Sequence, residues 1–309
     1  MKELAERIIA ENPMRFTKKE KEAFLRTAQE YLTENGVNAE DIKRPKMGAN
    51  RNLVIGDPAA PYVFTAHYDT PGRTGWLFFT SPLLGQTGAN IFFVVAFCVF
   101  YFAVGWLAAS WMSELDGAMN IIAFVLTLYL PLLVLLVPMV VKNKSNMIDN
   151  TSGAMSVLYM AAKAMNDPEL RGKCCFVLFD NEEWGLFGSL AYALWLKKNK
   201  ISPNAGIYVN IDCVGGGDTL LFSKTPGRNV GIDVIIDRLS KQGVKAEKKT
   251  SAIVFMSDHA NFRNSMMVSH VKRSALGFCY LPKIHTGRDK EVDIAQLEEL
   301  CGALLKTAE

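Results

Sequence analysis

The chain has no CxxC pair, no internal repeat, no low-complexity tract and no long charge imbalance. Each absence excludes something. The six cysteines (Cys98, Cys174, Cys175, Cys213, Cys279, Cys301) are too scattered for a zinc-finger motif, and 309 residues need no disulfide staples, so reduced thiols are expected. A net charge of +3 with no clustered basic face gives no footprint for nucleic acid. The first residues, Met1-Lys2-Glu3-Leu4-Ala5-Glu6-Arg7, carry acids and lack an apolar core, so no cleavable signal peptide is expected there.

Charge is also missing from two long runs. Ala89 to Trp111 (ANIFFVVAFCVFYFAVGWLAASW) contains none, nor does Ala118 to Val141 (AMNIIAFVLTLYLPLLVLLVPMVV); only Ser113-Glu114-Leu115-Asp116-Gly117 interrupts them. Each exceeds the ~20 apolar residues that cross a bilayer core. Core helices of soluble proteins usually keep a polar stripe, and these do not. The expectation is a two-span transmembrane hairpin over 86–141, contacting lipid through 89–111 and 118–141, with kinks at Pro131 and Pro138.

The remainder, 1–85 and 142–309, reads as one catalytic domain in which strands alternate with helices. Residues 1–11 form a short amphipathic helix. Thr17-Lys18-Lys19-Glu20 reads as a capping box opening a helix that stops at Gly36. Strands are expected at 53–55, 62–65, 174–179, 207–211 and 253–255. Helices are expected at 152–165, 185–198, 230–242 and 296–306. Such alternation predicts a sheet covered by helices on both faces, with sites gathering where strands end.

Polar residues cluster at those strand ends. His67 and Asp69 close one strand; Asp149 precedes a helix; Glu182 and Glu183 follow a strand; Asp212 ends another; His285 lies in a loop. Taken singly, each has a structural explanation: a hydrogen-bonded histidine, an N-cap aspartate, a solvated acidic turn. Jointly, two imidazoles and three carboxylates converging on one edge suit two divalent ions of the zinc type, leaving one carboxylate over as a base. His270 has only a buried structural role to recommend it, and the sequon Asn150-Thr151-Ser152 is an implausible glycan site inside this motif.

These segments resemble the M28 family of zinc aminopeptidases. The matching pieces are His67-Tyr68-Asp69, Asp149-Asn150-Thr151-Ser152-Gly153, Glu182-Glu183-Trp184-Gly185-Leu186-Phe187-Gly188-Ser189, Asn210-Ile211-Asp212, Ser257-Asp258-His259 and His285-Thr286, in family order over about residues 50–305. The resemblance implies a three-layer α/β/α sandwich around a mixed sheet, and peptide substrates. It implies one Zn2+ held by His67 and Asp212, a second held by Glu183 and His285, and Asp149 bridging them; Co2+ or Mn2+ would serve the same donors. Glu182 would be the general base and Asp69 the partner of the far nitrogen of His67. The adjacent Glu182 and Glu183 are expected to diverge as neighbours in an extended segment do. Asp258 and His259 would shape the substrate site.

The hydrophobic insertion departs from the soluble family pattern. About 80 residues separate His67 from Asp149, and both flanks supply ligands, so both ends must emerge on one side of the membrane. Only residues 142–148 separate Val141 from Asp149, a reach of at most ~25–30 Å, so the site is expected near the bilayer surface. Arg73, Lys142 and Lys144 flank the spans while the tip carries Glu114 and Asp116, which points to a cytoplasmic catalytic domain. The hairpin is read as an anchor, with a homo-oligomer left open. The alternatives are another amide-bond enzyme on the same scaffold, such as a glutaminyl cyclase, a non-catalytic interaction protein, or a channel, for which uncharged spans offer no polar pathway.

Overall fold

The computed structural model describes residues 1–74, 83–112, 117–224, 231–250 and 257–309. Among these, nine strands form one sheet: β1 (Ile42–Lys43), β2 (Leu53–Gly56), β3 (Tyr62–His67), β4 (Cys174–Phe179), β5 (Ile207–Ile211), β6 (Thr219–Lys224), β7 (Glu247–Thr250), β8 (Ser265–Arg273) and β9 (Cys279–Tyr280). The order is β1-β2-β4-β3-β5-β8-β6-β7, with β9 paired to β8. The middle four, β4-β3-β5-β8, are mutually parallel; β2 and β6 join them antiparallel. The sheet is therefore mixed, and the carboxyl ends of its central strands share one edge.

The helices are α1 (Lys2–Glu11), α2 (Lys18–Glu34), α3 (Gly85–Met112), α4 (Gly117–Val140), α5 (Ser152–Ala164), α6 (Pro168–Arg171), α7 (Phe187–Lys198), α8 (Gly231–Lys241) and α9 (Ile294–Lys306). β4 shows how the layers arise. All six of its residues are buried: Cys174, Phe176 and Leu178 face the core under α1, α2, α5, α8 and α9, while Cys175, Val177 and Phe179 face the core under α7. A strand covered on both faces reads as one apolar run, which made it visible in the sequence. The capping box at Thr17 forms, with Glu20 N donating to Thr17 Oγ1 and Glu20 accepting from Thr17 N.

Other elements differ from expectation. The long strand β8 was not anticipated, because Ser265, Ser269 and His270 break its apolar pattern. Two of them find partners: Ser265 Oγ donates to the carbonyls of His259 and Phe262, and His270 Nδ1 accepts the Gly215 N–H at 3.0 Å. Burial pushes the His270 imidazole down to about 4, the neutral form that such an acceptor requires. Helix α7 begins at Phe187 rather than Gly185, because Gly185 sits at φ +117° in a turn. The strand expected at 253–255 lies outside the described residues.

Helices α3 and α4 pack against each other and carry the sequence's apolar runs outward. Gly88–Trp111 has a mean hydropathy of 2.5, is not buried within the protein, and is long and apolar enough to cross a membrane. A second, shorter apolar stretch is Gly117–Thr127. Helix α4 continues through Pro131 and Pro138. Of the turn expected to form the hairpin's tip, Ser113 to Gly117, residues 113–116 lie outside the described residues and Gly117 opens α4. At the other end, the segment preceding α3 is laid onto the last turn of α4: Arg73 N donates to the carbonyls of Pro138 (2.9 Å) and Val141 (2.7 Å), and Asn143 N donates to Pro71 O.

Candidate metal centre

Three strand ends and two loops deliver the candidate residues to one edge of the sheet. His67 is the last residue of β3, Asp212 directly follows β5, and Glu182 and Glu183 lie just past β4. Asp149 precedes α5, in non-helical backbone (φ −116°, ψ 95°), with a cis peptide to Asn150. His285 stands on the loop between β9 and α9 at φ +56°. Two glycines permit this convergence. A Cβ on Gly153 would lie 2.3 Å from Ile211 O, and one on Gly188 would lie 1.9 Å from Asp180 O, so α5 and α7 approach the strand ends only without side chains there. Asn150 is buried, and its amide donates to Ile211 O.

Asp149 lies between the two imidazoles. Its Oδ1 is 3.3 Å from His67 Nε2, and its Oδ2 is 3.0 Å from His285 Nε2. On the His67 side, Asp212 Oδ1 is 3.6 Å and Glu182 Oε2 4.0 Å from Nε2. On the His285 side, Glu183 Oε2 is 3.9 Å from Nε2. Groups drawn from these residues place their ligand atoms within 4.8 Å of one another. The outer nitrogens are held as well. His67 Nδ1 is 3.2 Å from the Asp69 carbonyl and 3.5 Å from its carboxylate; His285 Nδ1 is 2.9 Å from Thr74 Oγ1.

The two adjacent glutamates are not extended, as the sequence suggested, but open a turn. Gly185 N and Leu186 N both donate to Glu182 O. Asp69 fixes that turn: its Oδ1 accepts from Glu182 N at 3.1 Å and its Oδ2 from Glu183 N at 3.3 Å. The carboxylate expected only to orient His67 thus also sets where both glutamates stand. Asp258 and His259 lie buried on a short turn, with Asp258 close enough for the charges of His67, Asp69 and Asp212 to act on it.

The electrostatics fit a cation-binding site. Burial pushes Glu182 and Glu183 well above the usual carboxylate range, and the neighbouring carboxylates add to it: Asp212, Asp258 and Asp149 for Glu182, Asp149 and Glu182 for Glu183. Burial would raise Asp149 too, but His285 and His67 hold it well below the usual range. Glu183 Oε1 and Asp212 Oδ1 are buried and accept no hydrogen bond. Buried oxygens without donors, crowded like charges and imidazole Nε2 atoms facing them form a donor set that suits borderline divalent ions.

Four neighbours escaped the sequence reading. Asp289 Oδ1 accepts from Ile148 N (2.7 Å) and Oδ2 from Asp149 N (3.1 Å), and so holds the backbone of Asp149. Arg15, fully buried, donates to Tyr68 O, Asn12 O and Thr151 Oγ1, tying the N-terminal segment to the segments that carry His67 and Asp149. Cys213 stands beside Asp149 and Asp212, its thiol raised by burial and by their charges. Thr74 backs His285. Asp289 stands four residues beyond His285 and Cys213 directly follows Asp212, whereas Arg15 and Thr74 reach the site through contacts across more than 50 residues.

A family model described as peptidase family M28 matches residues 138–298. Solved structures share the fold. The LapA aminopeptidase of Legionella pneumophila is 17% identical, with a TM-score of 0.59, over 99% of this chain and 69% of its own. A leucine aminopeptidase precursor from Bacteroides thetaiotaomicron is 14% identical (TM-score 0.57) over 99% of this chain and 93% of its own. A glutaminyl cyclase from the same organism, bound to N-acetylhistamine, is 14% identical (TM-score 0.55) over 96% and 91%. No curated protein sequence matches the chain.

Proposed function

The chain belongs to peptidase family M28, and on that premise we propose that it is a membrane-anchored, dinuclear zinc aminopeptidase. The observation that carries the reading is Asp149, whose two oxygens each face a different imidazole. His67, Asp212 and Asp149 would hold one ion; His285, Glu183 and Asp149 would hold the other. When bound, such ions supply Lewis acidity toward a water and toward the scissile carbonyl. Glu182 takes the proton of the attacking water and passes it to the leaving amine. Asp69 keeps Glu182 in place through its N–H. Asp289 and Arg15 hold the Asp149 loop against both neighbours. Asp258 and His259 would shape the substrate pocket.

Metal analysis of the purified full-length chain, paired with a screen of aminoacyl, dipeptide and N-acyl substrates, tests this. About two divalent ions per chain and release of N-terminal residues are expected, with N-acylated substrates inert. One ion with cyclisation of N-terminal glutamine would instead assign the chemistry of the cyclase that shares the fold. Turnover of N-acyl substrates alone would make it an amidase.

The anchoring rests on α3 and α4. Large apolar side chains on both, among them Phe102 (74% exposed), Trp106 (72%) and Ile121 (67%), face outward. Each would release about 1.5–3 kcal/mol on leaving water. Helix α3 has 28 residues, roughly 42 Å of helix against a ~30 Å bilayer core. With Arg73 bonded to the end of α4, the catalytic unit sits at the hairpin's base, on the cytoplasmic side by its flanking Arg73, Lys142 and Lys144. Single cysteines at position 114 and at Lys200, in a background without other reactive thiols, would be labelled in intact cells with an impermeant reagent. Labelling at 114 alone is expected; labelling at 200 alone would reverse the orientation, and release of the protein from membranes by alkaline carbonate would remove the spans.

A further inference from the structure

The two imidazoles of the centre are secured by different parts of the molecule. His67 belongs to β3, and its Nδ1 is met by Asp69, two residues along the same strand end. His285 belongs to a loop, and its Nδ1 is met by Thr74, 211 residues away in sequence. Where His285 Nε2, turned toward Asp149 and Glu183, serves as a ligand atom, the ring proton is left to Nδ1, and Thr74 Oγ1, 2.9 Å away, would accept it. Thr74 is 4% exposed, so water does not compete freely for that proton.

The position of Thr74 is fixed by the hairpin rather than by the sheet. Its N–H closes a tight turn onto Gly72 O. The intervening Arg73 N–H reaches the carbonyls of Pro138 and Val141 at the end of α4, and Gly72 pairs with Lys142. Gly72 lies so close to α4 that a Cβ would stand 2.3 Å from Met139 O. We propose that Thr74 is a positioning residue that holds the His285 imidazole and couples it to the base of the α3–α4 hairpin. A displacement of α4 moves Thr74, and with it one imidazole of the centre, while His67 stays with the sheet. The centre is thereby asymmetric: the His285–Glu183 half answers to the state of the hairpin and the His67–Asp212 half does not.

The proposal rests on the two-ion reading for one of its readouts and is independent of it for the other. Thr74→Val keeps the shape and removes the acceptor; Thr74→Ser keeps the hydroxyl; Gly72→Ala forces the segment off α4. In full-length protein titrated with a chelator, one of the two ions should be lost from Thr74→Val and Gly72→Ala at roughly 10–100-fold lower chelator than from wild type, the other unchanged, with Thr74→Ser near wild type. The chain has 4 histidines, so 15N-labelled imidazoles can be resolved individually. The Nδ1 resonance of His285 should shift in Thr74→Val, which lacks the hydroxyl, and return in Thr74→Ser, with or without metal. Unchanged His285 resonances in Thr74→Val, or equal loss of both ions, overturn the proposal. If the wild type binds fewer than two ions while the His285 signal still follows Thr74, the dinuclear reading fails and the positioning role stands.

Discussion

Glu182→Gln is expected to keep its metal and its fold and to lose turnover by about 10²–10⁴, the range a general base contributes. The amide preserves the shape and the N–H bond to Asp69 but has no lone-pair base for the water's proton. Glu183→Gln should behave differently. Glu183 Oε2 faces His285 Nε2, and its Oε1 is buried without a donor, so the loss of its charge should appear first as weaker metal retention and only through that as lower activity. The two glutamates are adjacent in sequence and joined to one carboxylate, Asp69, so a merely structural effect would strike both variants alike. Elemental analysis beside kcat separates them. A Glu182→Gln enzyme with near-normal kcat would remove Glu182 from the mechanism.

How much of this was legible beforehand depended on the range over which a signal acts. β4 was read to the residue because a strand buried on both faces must be apolar throughout. The capping box at Thr17 was read because its hydrogen bonds span three residues. β8 is not legible because Ser265, Ser269 and His270 interrupt its apolar pattern although all three are buried, and the acceptor role of His270 toward Gly215 N, 55 residues away, exists only in the folded chain. The candidate site followed the same rule. His67, Asp149, Glu182, Glu183, Asp212 and His285 stand in short motifs with their own local patterns, and the fold brings all six together. The turn at Glu182 was misjudged as extended because its geometry is imposed by Asp69, 113 residues earlier. Arg15 and Thr74 act across comparable distances and left no mark on their surroundings in sequence.

Lys21 is another residue of that kind, and its replacement should be the most destabilising of the changes considered. It lies on α2, 4% exposed, with Nζ 2.7 Å from Asp180 Oδ1 and 2.6 Å from Asn181 Oδ1. Asp180 is wholly buried, and burial raises its carboxyl above the usual range with Lys21 as the first opposing charge. Lys21→Met would leave that charge with only the Arg51 guanidinium, 3.9 Å from Oδ2, at up to about 3–5 kcal/mol, the usual consequence of breaking a buried pair from one side. At roughly 2–4 °C per kcal/mol for a chain of this size, the melting temperature should fall by on the order of 10 °C. The deficit should depend on pH in a definite direction. A carboxyl whose folded pKa lies above its unfolded value makes the folded state bind more protons, so stability falls as pH rises through that interval. Lys21→Met widens the interval, so its deficit should be full at neutral pH and shrink as pH falls toward the ordinary aspartate value of 3.8. Adding Asp180→Asn to Lys21→Met removes the stranded charge and should recover part of the loss at neutral pH while abolishing its pH dependence. Thermal melts of the three proteins between neutral and mildly acidic pH decide the matter. A Lys21→Met deficit that is small at neutral pH, or that grows on acidification, would mean that Asp180 is not held ionised by Lys21.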